Sequence, residues 1–212
     1  MTLTAYTKIR PEIALETLWS RVENAFPTEE NRIYFNEIGQ RKNPDSVKES
    51  LCALLVLAEL LKKTKINYSE FVLARGENGK PYFKNSKIEF SLSHSHGYAA
   101  AAVSDKSKVG IDIETADISR EKAQKLAERF FSENEKQKLN ASPDDFLKIW
   151  TKKEAFAKMQ GVNLADLVSY EKKNGTSERK NMCFHEFKAD EYPMTLCLEN
   201  PDEIINLGEI IV

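Results

Sequence analysis

An α+β fold is predicted by two features of the sequence. Runs of strand length follow one another directly at 87–114 and again at 182–212, while helical patterns gather at 11–63 and 119–160. Helices and strands in separate runs favour antiparallel pairing over a doubly wound parallel sheet. The 212 residues allow one larger domain or two small, closely packed ones.

Taken in order, Thr2–Ile9 reads as a strand, and Pro11 as the first residue of a helix reaching about Phe26. The apolar stripe of that helix is Ile13, Leu15, Leu18, Trp19 and Val22. Asn43-Pro44-Asp45 supplies an N-cap followed by proline, opening a helix through Leu51, Leu54, Leu55 and Leu57 to about Lys63. Gly76–Gly79 is a turn before the short extended piece Lys80–Phe83. Strands are expected at Lys87–Ser93, Tyr98–Ser104 and Val109–Glu114, with Asp105–Lys108 as a hairpin turn between the last two. Helices follow at Ser119–Phe130, Ser132–Asn140 and Asp144–Gln160, the last closed by Gly161. Glu171–Lys180 reads as a polar loop, and Met182–Ala189, Pro193–Leu198 and Ile204–Val212 as strands. Ser142-Pro143-Asp144 echoes Asn43-Pro44-Asp45 about one hundred residues later, a three-residue hint of duplication.

Apolar residues make up 41% and charged residues 30%, with a formal net charge of −2. This describes an ordinary globular chain able to bury a core. Without a basic excess, composition gives no support to nucleic acid as a partner, though a local basic pocket for a small anion is compatible with it. Cys52, Cys183 and Cys197 are odd in number and lack CxxC spacing, which argues against a disulfide scaffold or structural zinc. Residues 1–10 carry no apolar signal core. The most apolar stretch, Leu51–Leu61, is interrupted by Glu59 and is far shorter than the roughly 20 residues of a membrane span. A soluble, cytoplasmic protein with no membrane partner is expected.

The chemistry concentrates in Val109-Gly110-Ile111-Asp112-Ile113-Glu114. In a strand, Asp112 and Glu114 point to one face and Ile111 and Ile113 to the other, into a core. Two adjacent carboxylates repel unless protonated, separated by water or bridged by a cation; the plain alternative is a solvated acidic strand end. In Trp150-Thr151-Lys152-Lys153-Glu154-Ala155-Phe156-Ala157-Lys158, Glu154 and Lys158 share a helix face. The plain alternative there is a surface ion pair worth a few tenths of a kcal/mol, with Trp150 and Phe156 as core residues. Together the segments offer three carboxylates for a hard cation such as Mg²⁺ and a lysine for a neighbouring phosphate.

Gly110-Ile111-Asp112-Ile113-Glu114, a gap of about forty residues and then Trp150–Lys158 resemble the signature of 4′-phosphopantetheinyl transferases. Gly79-Lys80-Pro81 resembles that family's first-half element, Phe90-Ser91-Leu92-Ser93-His94-Ser95 its Ser-His-Ser element, and Arg129–Glu135 the stretch linking the two signature halves. The resemblance covers roughly residues 76–160, while the first forty residues match nothing recognisable. The length resembles the larger, monomeric branch that activates peptide synthetases.

The resemblance implies that Asp112, Glu114 and Glu154 bind Mg²⁺, which also contacts the diphosphate of coenzyme A. Glu135 matches the general base for the carrier serine, although Ser132 and Glu135 also form an S-x-x-E capping box. Lys158 would contact the diphosphate and stabilise the departing 3′,5′-ADP. Lys153 belongs to the same motif, with a solvated helix lysine as its alternative. Lys80, Pro81 and His94 would hold the nucleotide end with its 3′-phosphate, Lys48 is a further candidate for that phosphate, and Ser93 supports the phosphate site. It further implies two similar α/β halves, 1–105 and 106–212, with coenzyme A in the cleft between them. The co-substrates would be coenzyme A and an apo acyl or peptidyl carrier protein, from fatty-acid, polyketide or peptide synthesis. Two other classes stay open from the residues themselves: a metal-dependent phosphohydrolase using the same carboxylates with His94 and His96 alternating on one strand face, and a non-catalytic binding module.

Overall fold

The computed structural model describes residues 1–115, 118–141, 145–174 and 182–212. Strand β1 (Thr2–Lys8) is central to the larger sheet, with β5 (Tyr98–Ser104) antiparallel on one side and β9 (Ile204–Glu209) parallel on the other. β4 (Glu89–Ser95) extends this sheet beyond β5, giving the order β4-β5-β1-β9. A second, antiparallel sheet has the order β6 (Val109–Ile113), β8 (Tyr192–Leu198), β7 (Cys183–Ala189). β2 (Leu73–Arg75) and β3 (Pro81–Phe83) form a separate hairpin. The helices are α1 (Leu15–Ala25), α2 (Asn31–Gly39), α3 (Pro44–Thr64), α4 (Arg120–Phe130), α5 (Glu133–Ala141), α6 (Phe146–Gln160) and α7 (Leu164–Asn174). The class is the expected mixture of helices with largely antiparallel sheets.

Helix α3 begins as its sequence dictates: the Asn43 side chain accepts the Asp45 amide at 2.9 Å, and Pro44 takes the first turn. Leu51, Leu54, Leu57, Leu60 and Leu61 are wholly buried in the larger core. Against them lie Ala99, Ala101 and Val103 of β5, while Ala100 and Ala102 on its other face belong to the core around Ile111, Ile113 and Leu196. A strand buried on both faces reads as a continuous apolar run. Its alanines are thin enough for α3 to approach from one side and β6 from the other.

Both edges of β5 are taken, by β4 and β1, so no edge is left for β6. The expected β5–β6 hairpin is therefore not formed. Asp105–Lys108 instead carries the chain to the other sheet, its turn tied by the Ser107 amide on Ser104 Oγ at 3.1 Å. Helix α1 starts at Leu15, later than Pro11, because Pro11 sits in a turn closed by Ile13 N on Arg10 O at 3.2 Å. β4 runs two residues past Ser93. β2, α2 and α7 were not anticipated, and α7 takes in the first four residues of the expected 171–180 loop. Residues 175–180 and the echo at Ser142-Pro143-Asp144 lie outside the described residues. Among the described residues no helix is long and apolar enough to cross a membrane.

Helix α2 is held by a buried asparagine. Asn31 donates to Phe26 O at 3.2 Å and Phe71 O at 3.0 Å and accepts from Leu73 N at 2.7 Å, joining α1, α2 and β2. Asn31→Ala leaves these buried backbone groups without partners and is expected to cost about 2–3 kcal/mol, read as a lowered urea midpoint at unchanged slope.

Candidate active site

Gly110 decides where α6 lies. A Cβ at this position would stand 1.9 Å from Ala155 O and 2.5 Å from Met159 N, both backbone atoms of α6. The helix therefore rests directly on the β6 backbone. Strand alternation puts Asp112 on the same face as Gly110, and the helical i, i+4 spacing brings Glu154 and Lys158 to that face together. Ile111 and Ile113 point the other way, into the core, fully buried.

Lys158 Nζ lies 2.6 Å from Asp112 Oδ1 and donates to Ser93 Oγ at 2.8 Å, and Ser93 Oγ donates to the same Oδ1 at 2.9 Å. Burial raises the Asp112 carboxyl, with Lys158 and Ser93 pulling against the rise. Glu114 is raised by burial and by repulsion from Asp112, opposed by Ser95, Lys158 and Trp150. Burial, then the negative charge of Asp112, then that of Glu114 push Glu154 up to about 7, against Lys158. The three carboxyls thus feel one another, as the two motifs require.

Two observations fit this group to a hard divalent cation. Asp112 Oδ2 is buried and has no hydrogen-bond partner among the described residues, and burial with the negative charge of Asp112 and Glu114 makes the ionised Glu154 carboxylate costly without a cation beside it. Among the described residues no three of His, Cys, Asp and Glu already converge in metal-holding geometry. Positive charge at Asp112 is supplied by the Lys158 ammonium.

Glu114 also faces a cleft of about 780 Å³ lined by Lys48, Glu49, His94, His96 and the Asn43 end of α3. His94 Nδ1 lies 2.9 Å from Glu49 Oε2, and its Nε2 is 3.4 Å from Ser50 Oγ, which accepts from Arg41. Burial raises Glu49, but His94 and the Gly97 amide bring its carboxyl below the ordinary value. Lys48 Nζ donates to Pro11 O at 2.7 Å. His96 adopts φ 36° in the β4–β5 turn, so it does not alternate with His94 on a strand face. The two histidines still line one cleft, but the strand alternation given for them is not formed.

The structure does not bring Lys80 and Pro81 to this cleft. Lys80 Nζ donates to Val109 O at 3.1 Å and Met159 O at 3.4 Å, and burial lowers its pKa. These carbonyls mark the first residue of β6 and the last turn of α6, roughly 10 Å along the strand from Asp112. Asn78 in the same turn donates to Gly161 O at 3.1 Å, so the Gly79-Lys80-Pro81 element braces the end of α6.

Glu135 realises the capping box: its Oε2 accepts the Ser132 amide at 2.7 Å, and its own amide donates to Ser132 Oγ at 3.3 Å. The same Oε2 receives Lys153 Nζ at 2.9 Å. Lys153 is 1% exposed and also lies 3.5 Å from Glu171 of α7. The solvated-lysine reading of Lys153 is thereby corrected: a buried ammonium needs anionic partners, and two carboxylates supply them. Phe156 is buried and Trp150 half-buried among Phe130, Phe131 and Phe146, as expected of core residues. Residue-by-residue reading missed Glu49, Ser91 and Ser95. The alternation Ser91-x-Ser93-x-Ser95 was the available signal for the serines, and the position of Glu49 beside Lys48 gave none.

A family model described as the 4'-phosphopantetheinyl transferase superfamily matches residues 108–199. The 4'-phosphopantetheinyl transferase HetI of Nostoc sp. is 30% identical over 177 residues, 76% of this chain and 69% of the relative. The 4'-phosphopantetheinyl transferase AcpT of Salmonella typhi is 31% identical over 59% of this chain and 66% of its own length. Sfp of Bacillus subtilis is 32% identical over 57% of this chain and 55% of its own length. The family match spans β6, α6 and β8, the elements that assemble the carboxylates and Lys158. On that coincidence and on the extent of the HetI match, the chain belongs to the 4′-phosphopantetheinyl transferase superfamily and is a transferase.

Proposed function

We propose that the chain transfers 4′-phosphopantetheine from coenzyme A to a serine of an apo acyl or peptidyl carrier protein, in a Mg²⁺-dependent reaction that releases 3′,5′-ADP. The observation that carries this reading is the meeting of Asp112, Glu114, Glu154 and Lys158 where α6 rests on β6, with the Lys48–His94 cleft reaching Glu114. Asp112, Glu114 and Glu154 hold the cation in this reading. When bound, Mg²⁺ neutralises charge on the diphosphate. Lys158 leaves Asp112 for the diphosphate and offsets the charge of the departing nucleotide. Lys48 and His94, the latter oriented by Glu49, face the nucleotide end.

Glu135, its Oε2 steered by the Ser132 amide and Lys153, accepts the serine proton directly or through water. The serine oxygen attacks the β-phosphorus, the bond to the bridging oxygen breaks, and the electron pair leaves with 3′,5′-ADP. Lys80 contributes at the nucleotide end only by leaving the Val109 and Met159 carbonyls. We further take the chain as two similar halves, 1–105 and 106–212, with coenzyme A between them, acting as a cytoplasmic monomer. The halves are supported by α3 packing on β4 and β5 as α6 packs on β6 and β8, while β9, from the second half, crosses to pair with β1 of the first.

The test is intact-mass analysis of apo carrier proteins incubated with the protein, coenzyme A and Mg²⁺, beside an EDTA control. A metal-dependent gain of about 340 Da, one phosphopantetheine phosphoester, is expected. No gain with acyl and peptidyl carriers alike, despite coenzyme A binding, would reduce the reading to a binding module.

A further inference from the structure

β4 and β6 are edge strands of separate sheets, yet they run side by side. What joins them is a ladder of serine hydroxyls. Ser91 Oγ accepts the Ile111 amide at 3.0 Å, Ser93 Oγ the Ile113 amide at 3.3 Å, and Ser95 Oγ the Thr115 amide at 3.3 Å. Side-chain oxygens thus stand where neighbouring carbonyls would stand in a continuous sheet, satisfying amides that would otherwise be buried and unpaired.

A hydroxyl that accepts an amide still has its proton to give, and here the proton has a consistent destination. Ser93 donates to Asp112 Oδ1 at 2.9 Å and Ser95 to Glu114 Oε2 at 3.0 Å. The offset is the same in both rungs: each serine takes the amide of one β6-segment residue and gives its proton to the carboxylate of the residue before. At the third rung the preceding residue is Gly110, which has no side chain to receive it. Serines two apart on one strand therefore hold carboxylates two apart on the other, as the pleat demands.

We propose that Ser95 and Ser93 are positioning residues, whose amide-anchored hydroxyls aim the Glu114 and Asp112 carboxylates at the cation, and that Ser95 sets cation affinity. The inference rests on reading Asp112 and Glu114 as cation ligands. Ser95 is the one to test, since Ser93 also receives the Lys158 ammonium, whereas the further neighbours of Ser95 Oγ are His96 Nδ1 at 3.3 Å and Thr115 Oγ1 at 3.5 Å. Ser95 lines the cleft. Hydrogen-bond partners of metal-ligating carboxylates typically control affinity by about 10–100-fold.

The experiment is an Mn²⁺ titration of the protein at saturating coenzyme A, followed by the electron paramagnetic resonance of free Mn²⁺, with protein-free coenzyme A as the blank. Wild type, Ser95→Ala, Ser95→Thr and Glu114→Gln are compared after melting curves show each to be folded. S95A is expected to weaken Mn²⁺ binding about 10-fold or more, and S95T, which keeps the hydroxyl, to restore most of it. Wild-type affinity in S95A, with E114Q weakened, would overturn the positioning role alone. S95T as weak as S95A would also overturn it, because the loss would then follow from disturbed packing. No Mn²⁺ binding above the blank in wild type, or none lost in E114Q, would overturn both this inference and the ligand reading beneath it. Should S95A not fold, Ser95→Cys, of similar size but a weaker donor, takes its place under the same criteria.

Discussion

Glu154→Gln should give a protein that is more stable without ligands and nearly inactive. The Glu154 carboxyl is lifted from its ordinary 4.5 to about 7 by burial and by Asp112 and Glu114. Between those values the unfolded chain has released its proton and the folded chain has not, so stability falls as pH rises and stays reduced above about 7. The full shift corresponds to about 3 kcal/mol, and allowing for solvent screening of a half-buried group leaves about 1.5 kcal/mol. Gln is neutral throughout. Calorimetry at pH 8 is therefore expected to show E154Q melting about 3–6 °C above wild type, with the difference vanishing near pH 4. Transfer to a carrier should fall by at least about 10²-fold, and Mg²⁺ with coenzyme A, which should raise the melting point of wild type by linkage, should raise that of the variant much less. Full-rate transfer by E154Q would sink the assignment of Glu154 to the cation. A variant no more stable than wild type at pH 8 would mean that burial and the neighbouring carboxyls do not raise Glu154 in the free protein.

Gly110→Ala is expected to damage fold and function together. The added methyl meets Ala155 O at 1.9 Å and Met159 N at 2.5 Å, and neither atom can rotate away because both belong to the helix backbone. Either α6 lifts from β6 or the strand buckles, at a cost of about 3–5 kcal/mol. A lift of about 1 Å separates Glu154 and Lys158 from Asp112, and misplacement on that scale costs about 10²-fold in rate. Urea unfolding should show the lowered midpoint, and transfer assays on the folded fraction the lost rate. Trimming Ala155 to glycine in the same chain should not rescue either, since the obstruction is main chain. Rescue by that trimming, or a G110A protein with wild-type stability, would show that α6 does not rest on β6 in this way.

Several elements were legible because their causes are local. The Asn43 cap with Pro44, the apolar face of α3 and the Gly161 stop all depend on residues within a turn or two of one another. The short helices α2 and α7 were not read from the sequence. Their stripes, Asn31-Tyr34-Phe35-Ile38 and Leu164-Leu167-Val168-Glu171, have helical spacing, but each includes a buried polar residue whose reason lies elsewhere. Asn31 serves Phe26, Phe71 and Leu73, and Glu171 serves Lys153.

By itself, the sequence determined which groups share a face: Asp112 with Glu114 through the strand repeat of two, Glu154 with Lys158 through the helical repeat. Those are properties of a backbone that any neighbour will see. Only the tertiary structure decided what each face meets. Because β5 already has two partners, β6 goes to β8 and leaves its other amides to the serines of β4. Because Gly110 admits the α6 backbone, Lys158 lands on Asp112 while Lys153, one residue from Glu154, turns inward to Glu135 and Glu171. Lys80 spans to the far end of the same helix. A long flexible side chain can satisfy its charge at any of several places, and strand edges compete for partners far apart in the chain. Periodicity therefore gives a residue its direction, and packing gives it its partner.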